Sequence, residues 1–100
     1  MFVGIGKFFG FTETTLISTA KLIPTHEITM SKRQFRALKE DISKNGIQES
    51  ISYVKYNGKN YIVDGHHRFK AARLLGIENV PAKEVSLPFR GYNSPKDLLY

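Results

Sequence analysis

Residues 61–76 read YIVDGHHRFKAARLLG, and five consecutive positions within them, Asp64, Gly65, His66, His67 and Arg68, combine an acid, a glycine, two imidazoles and a guanidinium. The β-rich run before them and the helical run after them put this quintet where a strand hands over to a helix. A helix that starts there offers free backbone N–H groups and a positive dipole end, which together attract anions. Gly65 lets the backbone approach a ligand closely or adopt a positive φ. Arg68, in the first turn, carries a planar fork that can grip phosphate oxygens in bidentate fashion. Cations at a helix N-terminus oppose the dipole by a few tenths of a kcal/mol up to about 1 kcal/mol, so His66, His67 and Arg68 in succession make little sense unless an anion sits there. Histidine titrates near neutral pH, which makes His66 and His67 candidate general acids or bases. They lie about 100° apart around a helix, so only one of them can share a ligand with Arg68.

Each of the five also has a packing explanation: Asp64 as an N-cap, Gly65 as a turn residue, the histidines as half-buried filling, Arg68 as one partner of a surface ion pair. Taken together at one junction they favour the anion site. Asp64 would then orient a histidine or help hold a divalent ion. Glu27 or His26, from the PTHEI stretch, is the second catalytic candidate across the cleft. His26, Glu27, Asp64, His66 and His67 are all metal-ligand types, but adjacent histidines lack the i, i+4 spacing of a helical metal pair, and no metal centre is assigned.

The elements that must position these residues are legible in outline. Residues 15–24 mix Leu16, Ile17, Leu22 and Ile23 with Thr and Ser and read as one or two short strands closed by Pro24. Ser31 is the expected N-cap of a helix that places Phe35, Leu38 and Ile42 on one face and stops at Gly46. ISYVKYNGKNYIVDG is a hairpin around Asn57-Gly58, the dipeptide favoured in a type I′ turn. The register that follows sets Val54 against Tyr61 and Ile51 against Asp64, so DGHHR leaves the sheet at the end far from the turn. From His66 to Leu75 a second helix is expected, with Phe69, Ala71, Ala72, Leu74 and Leu75 buried and only Lys70 and Arg73 wet. Gly76 stops it, NVPAKEVSL reads as a further strand, and SPKDLLY as a closing helical turn capped by Ser94.

At 100 residues the chain has room for one modest core, read as a single domain over 15–100 preceded by a linker-like or packed arm over 1–14. The apolar, glycine-containing start lacks the basic region and cleavage site of a signal peptide, and Gly4, Gly6 and Lys7 do not complete a phosphate loop. No apolar run approaches the ~20 residues of a membrane span. Without cysteine, thiolate nucleophiles, disulfides and thiolate metal sites are excluded. Fifteen Lys and Arg against nine Asp and Glu give a formal charge of +6, which favours polyanionic partners: nucleic acid, a nucleotide or an acidic protein. Arg33, Arg36 and Lys44 on the first helix and Lys70 and Arg73 on the second are candidate phosphate contacts. Arg36–Glu40 and Glu40–Lys44 are i, i+4 pairs, so a solvated face accounts for part of that charge.

The order of these motifs resembles the ParB/sulfiredoxin superfamily over residues 16–86. An I-P strand leads to a basic helix, then Gly46, Ile47, Gln48 and Ile51 match a G-(I/L)-(I/L)-Q-P-I element, although Glu49 and Ser50 stand where Gln-Pro is usual. A hairpin follows, then a glycine-led signature at Gly65–Arg68, where partition proteins carry Gly-Glu-Arg-Arg and sulfiredoxins Gly-Cys-His-Arg. The resemblance implies an α+β fold, a mixed sheet whose hairpin packs against two main helices. It also implies a phosphate or nucleotide grip by Gly65, His67 and Arg68. His66 in place of cysteine rules out sulfinic acid reduction. The histidine pair in place of Glu-Arg, with no helix-turn-helix expected after residue 86, argues against a chromosome-partition CTP clamp. The D-G-H-x-R form resembles two further branches: ADP- or ATP-dependent free serine kinases, in which a glutamate near the position of Glu27 acts as base, and ParB-like nuclease domains of bacterial toxins. The expected function is a nuclease-type toxin or effector domain. It would act in the cytoplasm, after delivery as part of a larger secreted protein, and be countered by an acidic neutralising protein. The alternatives are a nucleotide-dependent small-molecule kinase or nucleotide hydrolase, using ATP or CTP and a divalent cation such as Mg2+, and a non-catalytic nucleotide- or DNA-binding module.

Overall fold

The computed structural model describes residues 14–99; apart from Thr14, the expected linker or arm lies outside them. Five strands and two helices run β1 (Thr15–Ser18), β2 (Leu22–Ile23), α1 (Lys32–Asn45), β3 (Ile51–Tyr56), β4 (Lys59–Asp64), α2 (His66–Leu75) and β5 (Asn79–Glu84), with 3-10 turns at Thr19–Lys21 and Pro95–Leu98. The strands form one sheet in the order β1-β5-β3-β4-β2. Two neighbouring pairs, β1/β5 and β3/β4, are antiparallel, while β3/β5 and β2/β4 are parallel. This is the expected α+β architecture.

Local chemistry sets the element boundaries. Ser31 accepts from the Gln34 N–H while Gln34 Oε1 accepts from the Ser31 N–H, a reciprocal capping box. Asn57 and Gly58, at φ 53° and 76°, make the hairpin turn. Gly65 and Gly76, both left-handed, bracket α2. Small Ala71 and Ala72, fully buried beside Phe69, let that helix settle closely on the sheet. One core lies between sheet and helices, built from Ile51, Tyr53, Ile62, Phe69, Val80 and Ala82. A second lies on the opposite face, where Val54, Tyr61, Val63 and Leu98 are covered by Val85, Leu87, Phe89 and Tyr92. The central strands are therefore buried on both sides, and β3 is apolar or enclosed for four residues running, Ile51 to Val54.

Three expectations are corrected. Val54 does face Tyr61, but Ser52, not Ile51, lies opposite Asp64, because the register shifts between Ser52 and Tyr53 and β4 carries one extra residue there. That shift turns the end of β4 just before the signature. Leu74 and Leu75 are exposed, at 58% and 38%, so the last turn of α2 buries less of its circumference than its apolar residues imply. Neither Arg36–Glu40 nor Glu40–Lys44 closes among the described residues, where the ion pairs are Arg68–Glu49, Arg68–Asp64 and Arg90–Asp64. The α1 cations point to solvent instead, apart from Lys39, which lies over the Phe35 ring.

Candidate functional site

The signature opens on Gly65, whose φ of 98° is left-handed. A Cβ at this position would lie 3.0 Å from Arg68 Nη2 and 3.1 Å from the Ile51 side chain, so both backbone conformation and space demand glycine. No side chain caps the helix, and the first backbone bond of α2 is Phe69 N–H to the Gly65 carbonyl. The amides of His66, His67 and Arg68 thus start the helix without an internal acceptor.

Arg68 lies beside those amides and is held there. Its Nη2 donates to the Ser50 carbonyl at 3.2 Å and its Nη1 to Glu49 Oε1 at 3.4 Å, while Nε is buried without a partner among the described residues. Asp64 Oδ2 lies 3.9 Å from Arg68 and 3.7 Å from Arg90 Nη1. Glu49, Asp64, Arg68, Lys83 and Arg90 line an open, strongly polar cavity of about 450 Å3. On its far side Arg68 also borders, with His67 and Gln48, a groove between α1 and α2 floored by Leu38, Ile42 and Ile47.

The other flank is closed. His66 is buried, and its Nε2 accepts from the Thr25 N–H at 3.0 Å. With that nitrogen accepting, the proton of the neutral ring sits on Nδ1. The Thr25 hydroxyl, itself buried, donates to the Ile62 carbonyl at 2.8 Å and takes the Tyr92 phenol hydrogen at 2.6 Å. His26 stacks on His66 with ring centroids 3.7 Å apart, and its Nδ1 donates to the Glu27 carbonyl at 2.7 Å. Burial first, then the neighbouring His26 and His67, push His66 down to about 4, against an opposing pull from Asp64. His67 Nε2 accepts from the Thr29 N–H at 3.3 Å. Both signature histidines therefore tie the segment carrying His26 and Glu27 onto α2. Beside that tie, His26, Glu27, Phe69 and Lys70 line a small cavity of about 160 Å3.

The residues singled out from sequence thus divide by flank. Asp64 and Arg68 meet at the open cavity, with Gly65 packed against the Arg68 fork; His26, Glu27, His66 and Lys70 meet at the small one; His67 lines the groove between α1 and α2. The His66 ring is buried, with Nε2 held by the Thr25 amide. Arg73 is exposed on α2 with its guanidinium over Phe69, and Arg33, Arg36 and Lys44 are exposed on α1 and line neither cavity. Sequence reasoning missed Thr25, Tyr92, Lys83 and Arg90. Thr25 and Tyr92 leave no local trace, whereas Arg90-Gly91 between Phe89 and Tyr92 is a turn signal that could have been noticed.

Residues 12–90 match the family model described as the ParB N-terminal domain. An ATP-dependent L-serine kinase from Staphylothermus marinus is 34% identical over 73 residues, covering 70% of this chain but 28% of the kinase; the chain spans little more than a quarter of that relative's length. Among solved structures, the C-terminally truncated chromosome-partitioning protein ParB from Caulobacter crescentus, complexed with CTP-gamma-S, superposes with a TM-score of 0.67 at 21% identity over 74% of this chain and 44% of that one. Sulfiredoxin from Arabidopsis thaliana gives 0.65 at 20% identity, over 73% of this chain and 84% of its own. At such identities the two structures establish the shared fold.

Proposed function

The chain belongs to the ParB N-terminal domain family, and on that premise we propose that it grips the phosphate groups of a nucleotide where β4 gives way to α2 and carries out phosphoryl chemistry there. The observation that carries this reading is the Arg68 guanidinium, which packs against the left-handed Gly65 at the uncapped start of α2 and lines a charged cavity together with Asp64 and Arg90. Amides and guanidinium would hold phosphate oxygens. Asp64 and Glu49 line the same cavity and would supply carboxylate oxygens to a divalent cation that offsets phosphate charge there. Glu27, which lines the small cavity with His26 and Lys70, is the carboxylate proposed to take the proton of a hydroxyl acceptor brought up to the bound phosphate. His67, which lines the groove between α1 and α2 with Arg68, is the imidazole proposed to assist proton transfer.

Support comes from the relatives: one acts with ATP by its name, and one was solved with a cytidine triphosphate analogue. The test is calorimetric titration with ATP and with CTP, followed by assays for released phosphate and for a phosphorylated hydroxyl acceptor such as serine. Wild type should bind one of them saturably, and Arg68→Ala should weaken that binding about ten- to a hundredfold, the worth of a charge-assisted contact. Absence of binding by wild type would sink the reading. Binding without product would leave a non-catalytic nucleotide module.

A second reading is favoured by the exposed cations outside the cavity, Arg33, Arg36, Lys44, Lys70 and Arg73. Here the same phosphate grip works on a nucleic-acid strand, as a nuclease-type toxin domain acting in the cytoplasm after delivery within a larger protein. An acidic neutralising protein would then cover the basic face. Incubation with plasmid, tRNA and total RNA beside Arg68→Ala decides it: cleavage abolished in the variant supports the toxin, and intact substrates throughout remove it.

A further inference from the structure

We propose that Arg90 is a second phosphate-gripping side chain of this site, and that Arg68 and Arg90 together select a ligand with at least two linked phosphates over one with a single phosphate. The inference rests on the phosphate reading above and adds a residue outside the signature.

Phe89 and Tyr92 exchange two backbone bonds of 2.8 Å each, closing a two-residue turn in which Arg90 and Gly91 take φ of 44° and 94°. The chain's other such turn, at Asn57-Gly58, uses an asparagine, whose short polar side chain tolerates the left-handed conformation. Arginine has no such aptitude, so local backbone preference does not account for it. What the position provides is direction. The Arg90 guanidinium reaches to 3.7 Å from Asp64 Oδ2, the oxygen that Arg68 approaches at 3.9 Å from its own side. With the Arg90 side chain 69% exposed, that pair is loose and screened, too weak to explain the choice of residue through stability. In the cavity, three cations, Arg68, Lys83 and Arg90, face two carboxylates, Asp64 and Glu49, leaving one positive charge in excess. Both forks come within 4 Å of a single oxygen, so an anion entering between them meets two planar donors at once, and phosphates sharing a bridging oxygen can engage one fork each.

Calorimetry at low salt with inorganic phosphate, pyrophosphate and triphosphate, on wild type, Arg90→Gly and Arg68→Ala, tests this directly. Glycine fits the turn without strain, so Arg90→Gly should melt at or above the wild-type temperature, whereas a structural role for the side chain would lower it. Its affinity for pyrophosphate and triphosphate should fall about ten- to a hundredfold, and for inorganic phosphate by less than about threefold. If Arg90→Gly binds pyrophosphate as wild type does while Arg68→Ala does not, the Arg90 assignment fails and the phosphate reading survives. Equal losses for single and linked phosphates would refute the selectivity. A wild type that binds none of the three overturns both.

Discussion

His66 and Arg68 stand two residues apart in the first turn of α2, yet one faces the inside of the protein and the other a ligand-sized space. On the His66 flank the polar groups pair internally: Thr25 N–H on Nε2, the Ile62 carbonyl and Tyr92 phenol on the Thr25 hydroxyl, with His26 stacked across the ring. On the Arg68 flank the distances are longer, 3.2–3.9 Å, and Asp64 is shared between two guanidiniums. A buried and satisfied network fixes geometry, because removing one member leaves the others unpaired. A loose, over-charged cluster can exchange its partners for those of an incoming anion. On the proposed reading, the closed flank builds the site and the open flank uses it.

The comparison breaks if the two flanks respond alike to truncation. His66→Ala leaves the Thr25 amide without its acceptor and opens a space where the ring was, at a cost of about 2–4 kcal/mol of folding stability. Denaturant unfolding would measure this, and phosphate affinity in the surviving folded fraction should change little. Arg68→Ala should do the reverse, weakening nucleotide binding about ten- to a hundredfold with a stability change of about 1 kcal/mol or less, since its pairs are partly exposed. A His66→Ala protein as stable as wild type would remove the distinction.

Protonation sharpens the same contrast. The folded His66 titrates near 4 while the unfolded ring titrates near 6.5. Between those values the unfolded chain holds the extra proton, so this residue's contribution is complete above pH 6.5, falls as pH drops through the window, and levels off below 4. The full loss is about 3 kcal/mol. Stability measured from about pH 7.5 to 4 should show this slope, and His66→Gln, which cannot titrate, should flatten it. A fall confined to more acidic solution than the folded-state value of about 4 would point to carboxylates instead.

Gly65 joins the flanks, and its replacement should affect both. Gly65→Ala forces a side chain into the left-handed region and against Arg68 Nη2 and Ile51, costing about 1–3 kcal/mol of stability. Because the nearest of those atoms belongs to the phosphate fork, affinity should fall together with stability, unlike either truncation above. Parallel melting and titration curves would expose any uncoupling.

What the sequence made legible follows from how local each signal is. Asn57-Gly58 announces the hairpin, and the glycines at 65 and 76 delimit α2 to the residue, because a turn or a cap is decided by a few neighbouring dihedrals. The quintet declared its place at the junction for the same reason. The extra residue in β4 that sets Ser52 against Asp64 stayed hidden, since a bulge depends on what packs over both faces of the sheet. So did the enclosure of His66, which requires Thr25 from one end of the fold and Tyr92 from the other. The exposed Leu74 and Leu75 misled for a related reason: their hydrophobicity implied a packing neighbour, and whether one is present is decided by the tertiary arrangement and not by the helix itself.

The smallest effect separates the two functional readings, and it lies outside both flanks. Lys44 is exposed near the end of α1 and lines neither cavity, whereas Arg68 lines the charged one. On the nucleotide reading Lys44 makes no phosphate contact, so Lys44→Ala should leave ATP or CTP affinity and its salt dependence unchanged within error. A nucleic-acid strand running from the cavity along α1 would touch it. A cation that neutralises one phosphate releases close to one counterion, so deleting Lys44 would then make the slope of log affinity against log salt shallower by about 0.7–0.9. Arg68→Ala serves as the internal standard, because it should alter the salt dependence under either reading. A shallower slope in both variants selects the strand; a change in Arg68→Ala alone confines the ligand to the start of α2.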